Sequence, residues 1–131
     1  MAVETVVFGG QTVLLIEDHP DVSKAYGAVL ESLGLRALHA ADGHRALDLW
    51  RAERARVALV VTDHAMPGMN GAELVTALRR EGCSAPVIML SGYPQPSEIA
   101  GVSAWLQKPC AVEEFVAVVA RLLPGSRKRG Q

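Results

Sequence analysis

Five short apolar runs punctuate the chain, and amphipathic stretches separate them. Thr12–Ile16, Val57–Val61 and Pro86–Leu90 are continuously apolar and rich in β-branched residues. Short runs of this kind read as strands buried on both faces of a parallel sheet. Leu35–Ala40 alternates more and reads as a strand nearer the sheet edge, and Val102–Leu106 reads as the fifth strand. Between them the spacing turns helical. Val22, Ala25, Tyr26, Val29, Leu30 and Leu33 recur at i, i+3, i+4 after Pro20, a residue suited to a helix start. Gly34 suits the C′ position that ends this helix. Asp42 can cap a second helix that turns Ala46, Leu47 and Trp50 inward. Asn70 with Glu73 three residues on reads as a capping box for a third, about Gly71–Arg80, with Leu74, Val75 and Leu78 inward. The last helix, about 111–123, puts Val112, Phe115, Val116, Val119, Leu122 and Leu123 on one stripe, and Pro124-Gly125 stops it. Strands alternating with helices predict an α/β fold with a parallel sheet and right-handed crossovers covering both faces.

Residues 1–11 read as a lead-in or linker, 12–123 as the domain, and 124–131 as a flexible basic tail. The segment 93–101 carries Pro94, Pro96 and Gly101, which predicts a short or missing fourth helix. Composition narrows the class without naming it. The chain has 131 residues, half of them apolar, and a net charge of −1, so nothing global points to nucleic acid or an anionic membrane. Cys83 and Cys110 form no C-x-x-C motif and read as free thiols of a reducing compartment. No signal peptide is visible and no apolar run approaches the roughly 18 residues of a spanning helix, so a cytoplasmic setting is expected.

The chemistry-bearing residues stand where the strands end. The first strand runs into Glu17 and Asp18, the third into Asp63, the fourth into Ser91 and the fifth into Lys108. In a parallel sheet these ends share one edge, the edge at which α/β folds bind ligands. Taken alone, Asp63 could as well be a turn or capping aspartate. Three converging carboxylates repel unless a cation joins them, and hard oxygen ligands suit Mg²⁺. A lysine and a hydroxyl facing the same point supply charge and a donor for a phosphoryl group. The implied reaction is phosphoryl transfer to a carboxylate, with Asp63 as the nucleophile.

Four ordered pieces, Val13-Leu-Leu-Ile-Glu-Asp-His-Pro20, Thr62-Asp-His-Ala-Met-Pro-Gly-Met-Asn-Gly71, Pro86-Val-Ile-Met-Leu-Ser-Gly92 and Trp105-Leu-Gln-Lys-Pro109, resemble the response regulator receiver domain of two-component signalling. The resemblance implies a flavodoxin-like (CheY-like) three-layer sandwich whose five parallel strands run in the order 2-1-3-4-5. It implies that Asp63 accepts phosphoryl from the phosphohistidine of a sensor histidine kinase or histidine phosphotransfer protein. Asp18, Asp63 and the backbone carbonyl of Ala65 would hold Mg²⁺, for which Mn²⁺ could substitute, and Glu17 would act through a metal-bound water. Ser91 would bond a phosphate oxygen, Lys108 would pair with the phosphoryl group, and Pro109 would follow a cis peptide bond. Ser91 and Trp105 would form the switch, although Trp105 could equally be core packing.

Such a domain is not an enzyme in the usual sense; it catalyses its own phosphorylation and slow dephosphorylation. The short segment after Ser-Gly-Tyr93 resembles receivers of hybrid sensor histidine kinases, and it puts dimerisation through a fourth helix in doubt. The residues after 123 are too few for a helix-turn-helix or another output domain in this chain. No direct contact with nucleic acid or membrane is expected.

His19, His39, His44 and His64 lie on separate segments and read as surface or edge histidines rather than a zinc site. His64, beside Asp63, could tune phosphoryl lifetime, and Tyr93 could shield the phosphoryl group from water. The competing readings are a pseudo-receiver acting as a protein-interaction module, a haloacid-dehalogenase-type phosphatase and a flavodoxin. The phosphatase wants an acid where Ala65 stands; the flavodoxin wants hydroxyls where Glu-Asp-His-Pro20 stands.

Overall fold

A computed structural model describes residues 6–96, 99–125 and 127–128. Its centre is a five-stranded parallel sheet: β1 (Thr12–Ile16), β2 (Arg36–Ala40), β3 (Val57–Asp63), β4 (Val87–Ser91) and β5 (Ala104–Gln107). The spatial order is β2-β1-β3-β4-β5. Four helices connect the strands: α1 (Pro20–Ser32), α2 (Gly43–Glu53), α3 (Gly71–Arg80) and α4 (Val112–Leu122). The α/β architecture predicted from the residue pattern and the strand order implied by the resemblance are both present.

Strand alternation divides the core into two layers. Val13, Leu15, Leu59, Val61, Ile88, Leu90 and Leu106 face one way and pack with Leu30, Leu33, Phe115 and Val119 of the α1 and α4 side. Leu14, Ile16, Val60, Val87 and Met89 face the other way and meet Leu47, Trp50, Leu74, Val75 and Leu78 of α2 and α3. Asp42 caps α2 by accepting the Arg45 N–H at 2.8 Å. Both halves of the capping box at α3 are made: Asn70 accepts from the Glu73 N–H at 2.8 Å, and Glu73 accepts from the Asn70 N–H at 3.0 Å.

Some placements differ from the periodic reading. On α1, Ala25 is exposed, while Ser23 and Gly27 are buried. The His39 ring of β2 lies against this face. Its Nδ1 is 2.7 Å from Ser23 Oγ, and a Cβ at Gly27 would sit 2.5 Å from its Cε1, so a small polar residue and a glycine displace the expected stripe. Val112 is exposed rather than inward, because it stands at the first position of α4, beyond the reach of the core. Strand β5 starts at Ala104, two residues later than expected; Ser103 instead donates its N–H to the Val87 carbonyl and accepts the Val87 N–H on Oγ.

Among the described residues between β4 and β5 no helix forms. The two prolines remove backbone donors there, and Arg79 of α3 fastens the connection from below. Its guanidinium donates to the carbonyls of Cys83 (2.9 Å), Ala85 (2.6 Å) and Gly101 (2.7 Å).

Some of the described residues on either side of 12–123 pair with one another; residues 1–5, 126 and 129–131 of the expected lead-in and tail lie outside the described residues. Val6–Val7 pairs antiparallel with Arg127–Lys128, so within the expected lead-in and flexible tail these four residues form a two-stranded ribbon. Phe8 anchors it. Its ring is buried in the α1–α4 layer, and its N–H donates to the Leu33 carbonyl. Gly34 has φ +82°, and a Cβ there would lie 2.5 Å from the Phe8 carbonyl oxygen, so this turn admits only glycine without movement.

Candidate functional site

The carboxyl ends of β1, β3, β4 and β5 meet at one edge. Register fixes this: Ile16 stands beside Thr62, Asp63 beside Leu90, and Ser91 beside Gln107. One residue further along β1 gives Glu17, and one further along β5 gives Lys108. Glu17, Asp63 and Ser91 are all buried. Lys108 crosses the basin, with Nζ 2.8 Å from Asp63 Oδ1 and 3.2 Å from Glu17 Oε1.

Asp18 Oδ1 is also buried, and it has no hydrogen-bond partner among the described residues. His19, the N-cap of α1, turns its ring back towards the acids: Nδ1 is 3.3 Å from Glu17 Oε2 and 3.4 Å from Asp18 Oδ1. Asp63, Asp18, Glu17 and Lys108 therefore form one basin, with Ser91 at its rim. Ala65 lies two residues past Asp63 in the loop before α3.

The electrostatics follow from these contacts. Burial and the nearby Asp63 charge push the Glu17 carboxyl up, but the His19 N–H, then the Asp18 side chain and the Lys108 ammonium, outweigh them and hold the carboxyl below its ordinary value. Burial alone would pull Lys108 down, but the Asp63 and Glu17 carboxylates push it above its ordinary value. Glu17 therefore adds stability at neutral pH that is lost as pH falls below the ordinary carboxylate range. Lys108 adds stability that is lost only as pH rises past the ordinary lysine value.

With its acids ionised, the basin holds three carboxylates and one ammonium, so one divalent cation would neutralise it. The buried Asp18 oxygen without a hydrogen-bond partner among the described residues, beside the carboxylate of Glu17, fits such an ion. Replacing Lys108 by alanine leaves Glu17 and Asp63 facing each other without a counter-charge. Because Lys108 keeps 26% side-chain exposure, the expected cost is about 1–3 kcal/mol, below that of breaking a fully buried pair. Urea melts at neutral pH, where both carboxylates are ionised, would show the loss as a lower midpoint than wild type.

Trp105 lies beside the basin on β5. Its Nε1–H donates to the Tyr93 carbonyl at 2.9 Å, and its ring centroid is 5.4 Å from that of His64. The Tyr93 N–H in turn donates to Ser91 Oγ at 3.1 Å. The Tyr93 backbone thus joins the hydroxyl at the rim to the indole, while its own side chain is exposed. The Lys108–Pro109 peptide is cis. Sequence reasoning missed the inward turn of His19 and the His64–Trp105 contact. Adjacency to Glu17-Asp18 was the available signal for the first; nothing in the sequence marks the second.

The family model described as the response regulator receiver domain matches residues 13–120. The chain belongs to that family. Among the relatives of this receiver domain is the response regulator RppA of Synechocystis, 33% identical over 110 residues, which cover 80% of this chain and 47% of RppA. Another is the sensor kinase CckA of Brucella abortus, 31% identical over 124 residues, covering 91% of this chain and 13% of the kinase. The chain spans about half the length of several curated response regulators that it matches. Among solved structures, the chemotaxis protein CheY4 of Vibrio cholerae superposes with a TM-score of 0.79 at 28% identity, covering 87% of this chain and 99% of CheY4. Among the described residues, no helix is long and apolar enough to cross a membrane.

Proposed function

We propose that this receiver domain accepts a phosphoryl group on Asp63 from a phosphohistidine, and that the transfer depends on Mg²⁺. The observation that carries the reading is the basin itself. A buried aspartate has its oxygen held at 2.8 Å by an ammonium, next to an acid oxygen that lacks any partner. In the transfer, an Asp63 carboxylate oxygen attacks phosphorus in line and the bond from phosphorus to the imidazole nitrogen breaks, the leaving imidazole taking its electron pair. Lys108 offers its ammonium to the incoming phosphoryl oxygens, at the cost of loosening its contacts with Asp63 and Glu17. Asp18 and Asp63, with the Ala65 carbonyl, would hold the ion directly, and Glu17 would act through a bound water. The ion supplies charge neutralisation on the transferring oxygens.

The proposed donor is a sensor histidine kinase or a histidine phosphotransfer protein. CckA, among the relatives, is named as a sensor kinase. The domain performs its own phosphorylation and slow dephosphorylation and has no other substrate in this reading. A pseudo-receiver role is disfavoured because every position that the chemistry needs is filled by a competent side chain.

Switching follows from the Tyr93 backbone. A phosphoryl group on Asp63 attracts the Ser91 hydroxyl, which then gives up the Tyr93 N–H. The Tyr93 carbonyl holds Trp105, so the indole moves with it. The expected result is a change in tryptophan emission when Mg²⁺ and beryllofluoride are added together, with neither alone sufficient. The other tryptophan, Trp50, is buried under the Arg54 guanidinium and should contribute a constant background. Removing Trp50 should leave the response intact, and an unchanged spectrum in both proteins would rule out the switch.

A further inference from the structure

Two aromatic rings, those of His64 and Trp105, meet beside Asp63. Their centroids lie 5.4 Å apart and their planes are tilted by 51°, a separation at which aromatic pairs attract. We propose that His64 is a positioning residue for the switch: its ring holds the Trp105 indole in the resting arrangement and so sets how readily the domain activates. The inference rests on the phosphoacceptor reading above and adds a second grip on the indole to the one made by the Tyr93 carbonyl.

Three observations support it. The first is that His64 cannot give way. Its N–H donates to the Leu90 carbonyl at 2.8 Å, and its carbonyl accepts from the Gly71 N–H at 2.8 Å, so β4 and the start of α3 pin the residue from both sides. Packing there is tight as well, since a Cβ at Gly71 would come within 2.9 Å of His64 Cα. The second is that Trp105 is fixed at its backbone. It stands opposite Met89 in the β4–β5 register, so its freedom lies in the side-chain torsions. The third is that the two grips on the indole differ in kind. Tyr93, which holds the indole N–H at 2.9 Å, belongs to the exposed stretch 92–96 and is tied to Ser91 Oγ. It moves when Ser91 is drawn to a phosphoryl group, whereas His64 stays.

The consequence is a bias on the equilibrium between the two arrangements. To follow the Tyr93 carbonyl the indole must leave the fixed His64 ring, so the ring pair belongs to the resting state and opposes activation. A contact made in one state only shifts the balance by its own free energy. Taking the His64 ring away therefore favours the active arrangement. In this role His64 touches no reacting atom; it acts through Trp105.

The test is NMR of the whole chain for wild type, His64→Ala, His64→Phe and His44→Ala. Exchange of the Trp105 indole N–H is read in the resting protein, and the midpoint of activation is read as beryllofluoride is raised in Mg²⁺. In His64→Ala the indole N–H should exchange roughly 2- to 10-fold faster, and the beryllofluoride midpoint should fall by roughly the same factor, the weight of one aromatic pair. His64→Phe keeps a ring and should return both readings towards wild type. His44 is exposed on α2, so His44→Ala should match wild type. Wild-type exchange and midpoint in His64→Ala, even with a lowered melting temperature, would reduce His64 to packing and overturn the proposal. So would a change in one reading without the other, or a His64→Phe protein that behaves like His64→Ala. Should His64→Ala fold poorly, the nuclear Overhauser contact between the two rings of the wild type decides; it should be present at rest and lost in beryllofluoride. If it persists while the Asp63 and Ser91 resonances move, His64 has no part in the switch. If those resonances stay still, the phosphoacceptor reading itself fails, a different result that removes the switch which His64 would serve.

Discussion

Asp63→Asn should take up no phosphoryl group from acetyl phosphate or phosphoramidate in Mg²⁺, under conditions that modify the wild type fully. An amide oxygen is a poor nucleophile, and it removes one of the carboxylates that would hold the ion. The change keeps the side-chain volume, so the sheet edge should survive; circular dichroism should match wild type. The amide oxygen can still accept from Lys108 at the position where Asp63 Oδ1 now stands 2.8 Å away. The expected loss is at least about a thousandfold in rate, because covalent capture has no substitute elsewhere in the basin. Modification of Asp63→Asn at the wild-type rate would place the acceptor on another residue.

Gly71→Ala should be the most damaging conservative change to the fold near the site. A Cβ at position 71 would sit 2.6 Å from Met89 Sδ, 2.7 Å from the Asp63 carbonyl oxygen and 2.9 Å from His64 Cα. Met89 can yield, but the other two contacts are backbone, at the last residue of β3 and the residue that follows it. The Gly71 N–H also donates to the His64 carbonyl at 2.8 Å, which locks the start of α3 under the site. Overpacking of this kind costs about 2–3 kcal/mol and should lower the melting temperature by roughly 10 °C. Gly92→Ala is the control. Nothing lies within 4 Å of a Cβ there, and its effect should be small. A Gly71→Ala protein as stable as wild type would mean that α3 approaches β3 less closely than the structure shows.

The parts legible in the sequence were those fixed by period and by strand direction. Val57–Val61 reads as a strand because it is apolar at every position, and a parallel sheet then sends Glu17, Asp63, Ser91 and Lys108 to one edge whatever the details of packing. Pro94 and Pro96 argue locally against a helix, and no helix forms among the described residues there.

The parts that were not legible depend on side-chain direction across distant segments. His39 reaches Ser23 over α1 and buries a polar face where an apolar stripe was expected. Arg79 reaches the Gly101 carbonyl from a helix that the periodicity places correctly but cannot orient in this detail. Phe8 enters the core from a segment whose two following glycines suggested a boundary. Within the basin, the sequence supplied the acids and the lysine. It could not say that Lys108 bridges Asp63 and Glu17, or that Asp18 keeps an unpaired oxygen.

The most direct measurement is the intact mass of the wild-type chain after incubation with acetyl phosphate, once with Mg²⁺ and once with EDTA, followed by peptide mapping. The account predicts a single added phosphoryl group only in Mg²⁺, carried by the peptide that contains Asp63. Modification that persists in EDTA, or maps to any other peptide, would contradict it.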